Sequence, residues 1–233
     1  MKVFCNWSSG KDSAFALHKI MENPELDVPL LVTTVNETNQ RVSMHGLRES
    51  LLREQVEQTG LPLHIIHLAG AVSMESYNAV MHSEMTALSD QGFKGSVFGD
   101  IFLEDLRAYR EEQLAQVSLK GIFPLWGMNT RELALQIIES GFKAITVCVN
   151  ARLLGPEFAG RLVDRQFLED LPEGVDPCGE NGEFHTFVFD GPIFKKPVLF
   201  TRGEIVKQGY ASNESTASKV SWDHEFWFCD LHK

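Results

Sequence analysis

The chain has 233 residues, of which 43% are hydrophobic and 10% aromatic, so it can build one large or two small packed domains. Its formal net charge of −11 excludes a broad non-specific surface for nucleic acid, because such a surface needs clustered lysines and arginines. Lys11 and Asp12 interrupt the N-terminus before a signal-peptide core can form, and no apolar run reaches the length of a membrane span. We therefore expect a cytoplasmic protein that does not contact membranes.

The N-terminal stretch combines a predicted strand, a tight turn and a predicted helix. Residues 2–6 are a short apolar run, and residues 7–13 read Trp-Ser-Ser-Gly-Lys-Asp-Ser. The apolar side chains that follow recur at helical spacing: Ala16, Leu17, Ile20 and Met21. A strand that enters a helix through such a turn directs unpaired N–H groups and the positive end of the helix dipole to one point. Anions bind at such points, and phosphate is the usual one.

The turn fits neither of the two common phosphate-binding motifs. Gly10 and Lys11 are followed by Asp12 rather than by Ser or Thr, and Cys5 occupies the position of the first Walker A glycine. Only one glycine of the dinucleotide fingerprint is present. The turn instead resembles the Ser-Gly-Gly-Lys-Asp-Ser signature of the PP-loop ATP pyrophosphatases, at five of six positions. Ser9 replaces the first glycine of that signature, so it must tolerate the backbone geometry that the glycine supplies.

This resemblance implies ATP as the bound nucleotide and Mg²⁺ as its counter-ion. In PP-loop enzymes the loop holds the β- and γ-phosphates together, so that pyrophosphate leaves and AMP is transferred. The implied nucleotide contacts are Ser8, Ser9, Gly10, Lys11, Asp12 and Ser13. Lys11 and Mg²⁺ would neutralise the charge that develops on the leaving oxygens. The alternative is a plain helix N-terminus capped by Asp12 or Ser13, which does not account for four specific residue types at the end of the first strand.

The first half of the chain alternates apolar runs with helical patterns. The predicted strands cover residues 2–6, 30–35, 63–68, 96–99 and 122–126. The predicted helices that follow the first one cover residues 47–60, 74–89 and 103–119. Such nearly continuous apolar strands predict a parallel sheet that helices cover on both faces. One more helix, 130–140, and one more strand, 143–149, precede an irregular region rich in Gly and Pro.

Two further loops follow strands of this sheet, at the edge where ligands bind. The loop 36–46 is long enough to close over a nucleotide as a flap, with His45 and Gly46 shaping the adenine or ribose pocket. A solvated surface loop is the alternative for this segment. In the other loop, Gly99 lets the backbone approach a ligand, and Asp100 can reach Mg²⁺ or a ribose hydroxyl.

A late Asn-Gly turn stands among clustered polar residues. Glu180 and Glu183 are three residues apart, and a predicted strand beginning at His185 follows them. In that strand Phe184 and Thr186 point one way and His185 the other. Packing gives no reason for these acids and the histidine to lie together. By itself, this stretch favours a simple Asn-Gly turn with solvated acids over a site.

The cysteine and histidine positions favour neither a structural metal nor a disulfide. The cysteines are far apart in the sequence and form no Cys-x-x-Cys pair: Cys5, Cys148, Cys178 and Cys229. The histidines show no ligand spacing either. We predict no structural zinc and no disulfide.

Four separate motifs carry a family resemblance: residues 8–13, Gly-Asp-Ile at 99–101, Pro-Leu-Trp at 124–126, and residues 178–186. Together they resemble, over essentially the whole chain, the diphthine–ammonia ligase family of PP-loop ATPases. The Glu-Gly-Gly-Glu element of that family is matched at 180–183, where Asn181 replaces one glycine and still tolerates positive φ.

The resemblance implies an α/β fold in two domains. Residues 1–127 would form a nucleotide-binding domain around a five-stranded parallel Rossmann-like sheet of the adenine-nucleotide alpha-hydrolase-like (HUP) type. Residues 128–233 would form a smaller α+β domain that carries the acidic element. The active site would then lie in the cleft between the two domains.

The resemblance also implies a reaction, in which ATP adenylylates a carboxylate and ammonia displaces AMP to give an amide. The partners would be ATP, ammonium and a carboxylate acceptor, which in the family is diphthine on an elongation factor. The implied catalytic residues are Lys11, Asp100, Glu180, Glu183 and His185. One of the last three would deprotonate ammonium or orient ammonia. The implied Mg²⁺ ligands are Asp12 and Asp100.

Two other functions are consistent with the same loop. A PP-loop tRNA-modifying enzyme shares the adenylylation step, but the acidic net charge and the lack of paired catalytic cysteines speak against it. A non-catalytic adenine-nucleotide sensor would not need an acidic element facing the phosphates. A large distance between residues 180–185 and the phosphate loop would favour the sensor.

Overall fold

The computed structural model of the chain describes residues 1–42, 46–70, 73–209 and 225–233. Its strands are β1 (Lys2–Asn6), β2 (Asp27–Asn36), β3 (Arg41–Val42), β4 (Leu63–Leu68), β5 (Gly95–Val97), β6 (Lys120–Ile122), β7 (Lys143–Asn150), β8 (Phe184–Asp190), β9 (Thr201–Gly209) and β10 (Glu225–His232). Its helices are α1 (Lys11–Met21), α2 (Glu49–Thr59), α3 (Met74–Asp90), α4 (Glu104–Ala115), α5 (Thr130–Glu139) and α6 (Arg165–Asp170), with a 3₁₀ turn at Pro156–Phe158.

The first sheet contains five parallel strands in the order β4-β2-β1-β5-β6. The central strand is β1, in which Val3, Phe4 and Cys5 are fully buried. The short β3 pairs antiparallel with the end of β2, at Val35 and Asn36. The predicted five-stranded parallel sheet is confirmed. Its short apolar runs become strands because helices cover both faces of the sheet.

Two apolar clusters pack on the two faces of this sheet. Side chains alternate along β1, so Val3 and Cys5 belong to one cluster and Phe4 to the other. The Phe4 cluster includes Leu88 of α3 and Leu114 of α4. The cluster on the opposite face includes residues of α1, α2 and the second sheet. The second sheet therefore shares a continuous core with one face of the first.

The second sheet is antiparallel, with the order β8-β7-β10-β9. It belongs, with α6 and the 3₁₀ turn, to the C-terminal half of the chain. The prediction of a second, smaller α+β region beside the parallel sheet is confirmed. The boundary between residues 127 and 128 stays a prediction.

The fifth parallel strand lies earlier than predicted. The sequence predicted a strand over 122–126, but β6 ends at Ile122 and the next residues form a turn. Trp126 N–H donates to the Phe123 carbonyl, and Gly127 has φ +73°. The apolar residues suggested a strand, but Pro124 has no N–H with which to continue the pairing of β6.

Two helix predictions also differ from the structure. Met21 continues the apolar spacing of α1 in the sequence, but it is the last residue of that helix and is 56% exposed. α4 ends at Ala115 rather than at 119, because Ser118 takes φ +59° and Leu119 N–H bonds back to the Leu114 carbonyl. Within the described ranges, no helix combines the length and the apolar character needed to cross a membrane.

Candidate active site

The predicted phosphate loop joins the end of β1 to the start of α1, at the centre of the parallel sheet. Ser9 is fully buried and has φ +73°, so the serine does adopt the left-handed geometry that the glycine of the PP-loop signature supplies. Gly10 is the N-cap residue of α1 and has no side chain with which to cap it, whereas Asp12 and Ser13 lie inside the first turn of the helix. The alternative of a helix capped by Asp12 or Ser13 is therefore wrong.

Hydroxyl oxygens accept hydrogen bonds from the N–H groups of this loop. Gly10 N–H donates to Ser8 Oγ at 3.3 Å, and Ser8 N–H donates to Ser13 Oγ at 3.4 Å. Lys11 N–H donates to Thr186 Oγ1 of β8 at 3.0 Å. Hydrogen bonds to neutral hydroxyl groups can be exchanged for stronger, charge-assisted bonds to an anion. The loop is thus chemically suited to phosphate.

The Lys11 side chain is buried against the C-terminal half of the chain and is 2% exposed. Its ammonium lies 2.9 Å from both carboxylate oxygens of Asp12 and also donates to the Cys178 carbonyl. The ring of Phe184 lies 5.3 Å from Nζ. Burial lowers the pKa of Lys11, but its surroundings, with the charge of Asp12 first among them, outweigh burial and raise it. Lys11 therefore stays charged, and its ammonium connects the two halves of the chain.

Asp100 follows β5 and is paired with an arginine. Its Oδ2 lies 2.7 Å from Nε of Arg110 on α4, and the Arg110 guanidinium lies 4.4 Å from the centre of the Phe98 ring. Burial raises the pKa of Asp100, Arg110 opposes this rise, and the charge of Asp12 adds to it. Arg110 is not among the predicted site residues. Its position on the charged helix after Gly99-Asp100 is the signal in the sequence that could have indicated such a partner.

Gly99 makes a close approach, but to protein rather than to a ligand. A Cβ atom at this position would lie 2.8 Å from the Asp12 carbonyl carbon and 2.9 Å from the Ser13 nitrogen. The first turn of α1 therefore packs directly on the backbone after β5. This contact brings Asp100 to the phosphate loop.

Glu180 lies against the same loops. Its Oε1 accepts a hydrogen bond of 2.7 Å from the Ile101 N–H. Burial raises the pKa of Glu180 to about 7; the Ile101 N–H lowers it, whereas the charges of Asp12 and Asp100 raise it further. The structure thus brings together Lys11, Asp12, Asp100 and Glu180, which we call the loop site.

Glu183 is oriented differently. It is 2% exposed, and its carboxylate accepts hydrogen bonds from Asp176 N–H, Asn181 N–H and Asn181 Nδ2, at 3.1, 2.9 and 3.0 Å. Asp176 in turn accepts the N–H groups of Cys178 and Glu180, at 3.1 and 3.0 Å. These contacts organise the turn that presents Glu180. They favour a structural role for Glu183, and its catalytic role stays a prediction.

His185 lies on the opposite side of β8 from Lys11. Phe184 and Thr186 both contact Lys11, and side chains alternate along a strand, so His185 points away from them. It is half-buried and stands in register with Cys148 of β7. This geometry does not place His185 in the loop site, and its proposed role stays a prediction.

The predicted flap is tied to the second sheet. Arg41 of β3 donates to the Gly46 carbonyl and, at 3.0 Å, to Asp230 of β10. Arg48 also pairs with Asp230, at 2.5 Å. We call Arg41, Arg48 and Asp230 the Asp230 junction. Gly46 has φ +65°, and His45 lies outside the described residues, so the role of His45 and Gly46 at the nucleotide stays a prediction.

A cavity of about 600 Å³ opens beside this junction. It lies between the end of the flap and the second sheet. Its lining residues are Asn39, Arg41, Gly46, Val147, Gly203, Glu204, Val206, Gln208, Gly209, Phe228, Cys229, Asp230 and His232.

In the described part of the chain, no three His, Cys, Asp or Glu side chains are arranged to hold a metal ion. Asp12 and Asp100 each have a cationic partner instead, Lys11 and Arg110. The cysteines are buried free thiols, and burial raises the pKa of Cys5, Cys148 and Cys178 to about 12.

Comparison with known proteins identifies both halves of the chain. Residues 1–120 match the family described as "Diphthamide synthase N-terminal domain", and residues 129–231 match "Diphthamide synthase C-terminal domain". Proteins named diphthine–ammonia ligase are similar to about half of the chain. The cattle protein (Bos taurus) is 32% identical over 118 residues, which is 48% of this chain and 44% of that protein.

Two other vertebrate proteins of the same name match to a similar extent. The human protein (Homo sapiens) is 33% identical over 45% of this chain and 41% of its own length. The zebrafish protein (Danio rerio) is 33% identical over 48% of this chain and 46% of its own length. The alignments thus span less than half the length of these curated relatives. Because the two family matches together cover most of the sequence, the chain belongs to the diphthamide synthase family.

Proposed function

We propose that the protein is an ATP-dependent amide ligase that forms AMP and pyrophosphate. The single observation that carries this proposal is the loop site, where the PP-loop and the acidic element of the C-terminal half meet at Lys11. The loop N–H groups and the positive end of α1 suit the β- and γ-phosphates. The turn that carries Glu180 closes over the same point.

The reaction has two steps. First, a carboxylate oxygen of the acceptor attacks the α-phosphorus of ATP, the bond between that phosphorus and the bridging oxygen breaks, and pyrophosphate leaves with the electron pair. Ammonia then attacks the carbonyl carbon of the acyl adenylate. The carbon–oxygen bond to AMP breaks, AMP leaves with that electron pair, and the nitrogen loses a proton. The product is a primary amide.

The residues of the loop site divide this work. Lys11 would offset the charge that grows on the departing pyrophosphate, because a buried cation acts strongly in a site that excludes water. Arg110 would hold Asp100 in place. Glu180, with a pKa of about 7, would exchange a proton with the attacking nitrogen near neutral pH. These roles rest on position and charge.

The carboxylates also suit a divalent cation. The charge of Asp12 raises the pKa of Asp100, and the charges of both raise the pKa of Glu180, so a bound cation would relieve this repulsion. Mg²⁺ needs only one or two protein carboxylates when phosphates and water fill its other positions. Asp12 and Asp100 would hold Mg²⁺, which supplies charge neutralisation at the phosphates when it is bound.

The acceptor would be a carboxylate, and diphthine on an elongation factor is the first to test, because the matched relatives are named diphthine–ammonia ligases.

Two other functions are less well supported. Glu180 and Cys178 contact the loop region, whereas a sensor needs no acid there. A thiolating tRNA enzyme needs a reactive thiolate, whereas three of the four thiols have a pKa of about 12. A reducing cytoplasm is the compartment that these buried free thiols favour.

The test is to identify the nucleotide product. The protein is incubated with ATP, Mg²⁺ and ammonium, with and without diphthine-bearing elongation factor and a panel of small carboxylates. Formation of AMP and pyrophosphate with one acceptor only would support the ligase and name its substrate. ADP with phosphate, or no turnover with any acceptor despite ATP binding, would contradict it. A shift of tRNA on a gel at physiological salt would favour the tRNA-modifying enzyme.

A further inference from the structure

A buried glutamine of α2 connects three parts of the molecule. Gln55 is fully buried, and its side-chain oxygen accepts the Trp7 indole N–H at 2.8 Å. Its side-chain nitrogen donates to the Ser9 carbonyl at 3.0 Å and to the Val188 carbonyl of β8 at 2.6 Å. One amide group therefore contacts the start of the phosphate loop, its left-handed residue and the second sheet.

The Ser9 carbonyl is fixed by two donors. Besides the Gln55 amide, it accepts the Val188 N–H at 2.9 Å. A trans peptide is planar, so its C=O and the N–H of the next residue point in opposite directions. Holding the Ser9 carbonyl towards Gln55 and β8 therefore turns the Gly10 N–H the other way, towards Ser8 Oγ. That N–H is a candidate phosphate donor of the loop.

The arrangement costs stability that a simple core would avoid. A polar amide buried among apolar neighbours is tolerated only when it is hydrogen-bonded. Ser9 adds a left-handed, non-glycine backbone, which is unfavourable. Its buried Oγ also has no hydrogen-bond partner among the described residues. Strain and an unpaired hydroxyl in a phosphate loop indicate a conformation kept for a ligand.

We infer that Gln55 is a positioning residue for the pyrophosphate end of ATP: it fixes the Ser9 carbonyl and thereby presets the Gly10 N–H towards the phosphates. This inference rests on the proposed function, because it assumes that the loop binds the β- and γ-phosphates. Gln55 touches no reacting atom, so its effect is on binding through the loop. The sequence contained a signal for it, because Gln55 lies four residues after Leu51, on the buried face of α2.

The test compares nucleotides with and without the pyrophosphate group. Dissociation constants for ATP, inorganic pyrophosphate and AMP are measured for the wild type, Gln55→Glu and Gln55→Met. Gln55→Glu keeps the acceptor for Trp7 but loses both donors, and Gln55→Met separates this loss from an added charge. Gln58→Glu, on the same helix and also buried, is the matched control.

We expect both Gln55 variants to weaken binding of ATP and pyrophosphate about tenfold, the effect of one or two hydrogen bonds, with AMP binding and the Gln58→Glu control unchanged. A purely structural role would weaken ATP and AMP equally, and that result, or unchanged ATP binding, would overturn the inference. A wild type that binds neither ATP nor pyrophosphate would instead contradict the proposed function. If the Gln55 variants do not fold, Trp7→Phe, which removes one anchor of Gln55, should lower ATP but not AMP affinity by a smaller factor; an unchanged ratio would overturn the inference.

Discussion

The loop site and the Asp230 junction both pair an aspartate with arginine, but the two carboxylates respond in opposite directions. At the loop site, burial raises the pKa of Asp100 more than Arg110 lowers it, and Asp12 adds to the rise. At the Asp230 junction, partial burial also raises the pKa, but the hydrogen bonds and charges of Arg48 and Arg41 outweigh it and hold the pKa of Asp230 below its usual range.

The difference shows that partners alone do not decide the behaviour of an ion pair. Asp230 has two arginines, is partly open to solvent and is an ordinary structural contact. Asp100 has one arginine, is more deeply buried and shares its surroundings with the acids Asp12 and Glu180. Perturbed carboxylates that repel one another in this way are typical of functional sites. Variants at both places can therefore test this difference.

The largest expected effect is on Lys11. Lys11→Ala removes the cation of the loop site, and we expect AMP formation to fall about 10² to 10³-fold, as when a transition-state charge contact is lost. Lys19→Ala, on the same helix but 38% exposed at its side chain, is the control and should keep full activity. AMP is quantified by chromatography in the presence of the acceptor. Full activity of a folded Lys11→Ala protein would exclude this site.

A second variant tests whether Glu183, in the turn that supports the loop site, has a structural rather than a catalytic role. Glu183→Gln places an amide where three donors converge on a carboxylate, so we expect a loss of about 2 kcal/mol in the free energy of unfolding. Urea denaturation measures this loss. An unchanged midpoint would mean that the turn does not depend on the Glu183 charge, and would revive a catalytic role for it.

The Asp230 junction should affect stability without affecting chemistry. Asp230→Asn is expected to cost about 1 kcal/mol of unfolding free energy at pH 7, as for a well-formed, partly exposed ion pair. Because the pKa of Asp230 is lowered in the folded state, its stabilisation is present above the unfolded pKa and fades as the pH falls below it. The difference in unfolding free energy between Asp230→Asn and wild type should therefore disappear at acid pH. A change in ATP affinity would instead show that the Asp230 junction contributes to nucleotide binding.

Glu180→Gln should show the opposite pH dependence, with the smallest effect on stability. The pKa of Glu180 is raised to about 7, so its ionisation in the folded state opposes folding as the pH rises from the unfolded pKa to about 7. Glu180→Gln should therefore have a higher melting temperature than wild type at pH 8, corresponding to a gain in unfolding free energy of less than about 1 kcal/mol after solvent screening, and should lose this advantage near pH 4. A lower melting temperature at pH 8 would contradict the repulsion described at the loop site.

The sequence by itself determined the phosphate loop and the parallel sheet. The loop is one continuous segment, and its small residues and helix start are local features that dictate local geometry. The buried strands are short apolar runs. They are recognisable because the segments between them show the apolar spacing of helices. The serine at position 9, where the signature has glycine, could also be interpreted from the sequence, because the positive φ that it needs concerns a single residue.

Which of the predicted polar residues lie together depends on the tertiary packing, and the sequence does not show it. Glu180 and Glu183 are equivalent in the sequence, yet one faces Asp12 and Asp100 while the other is bonded into its own turn. Arg110, Gln55 and Asp230 act through partners at least ten residues away in sequence, and no local pattern specifies which residue each of them contacts. Charge and hydrogen-bond energies depend on burial and on neighbours in space. The packing of the second sheet against the first determines both.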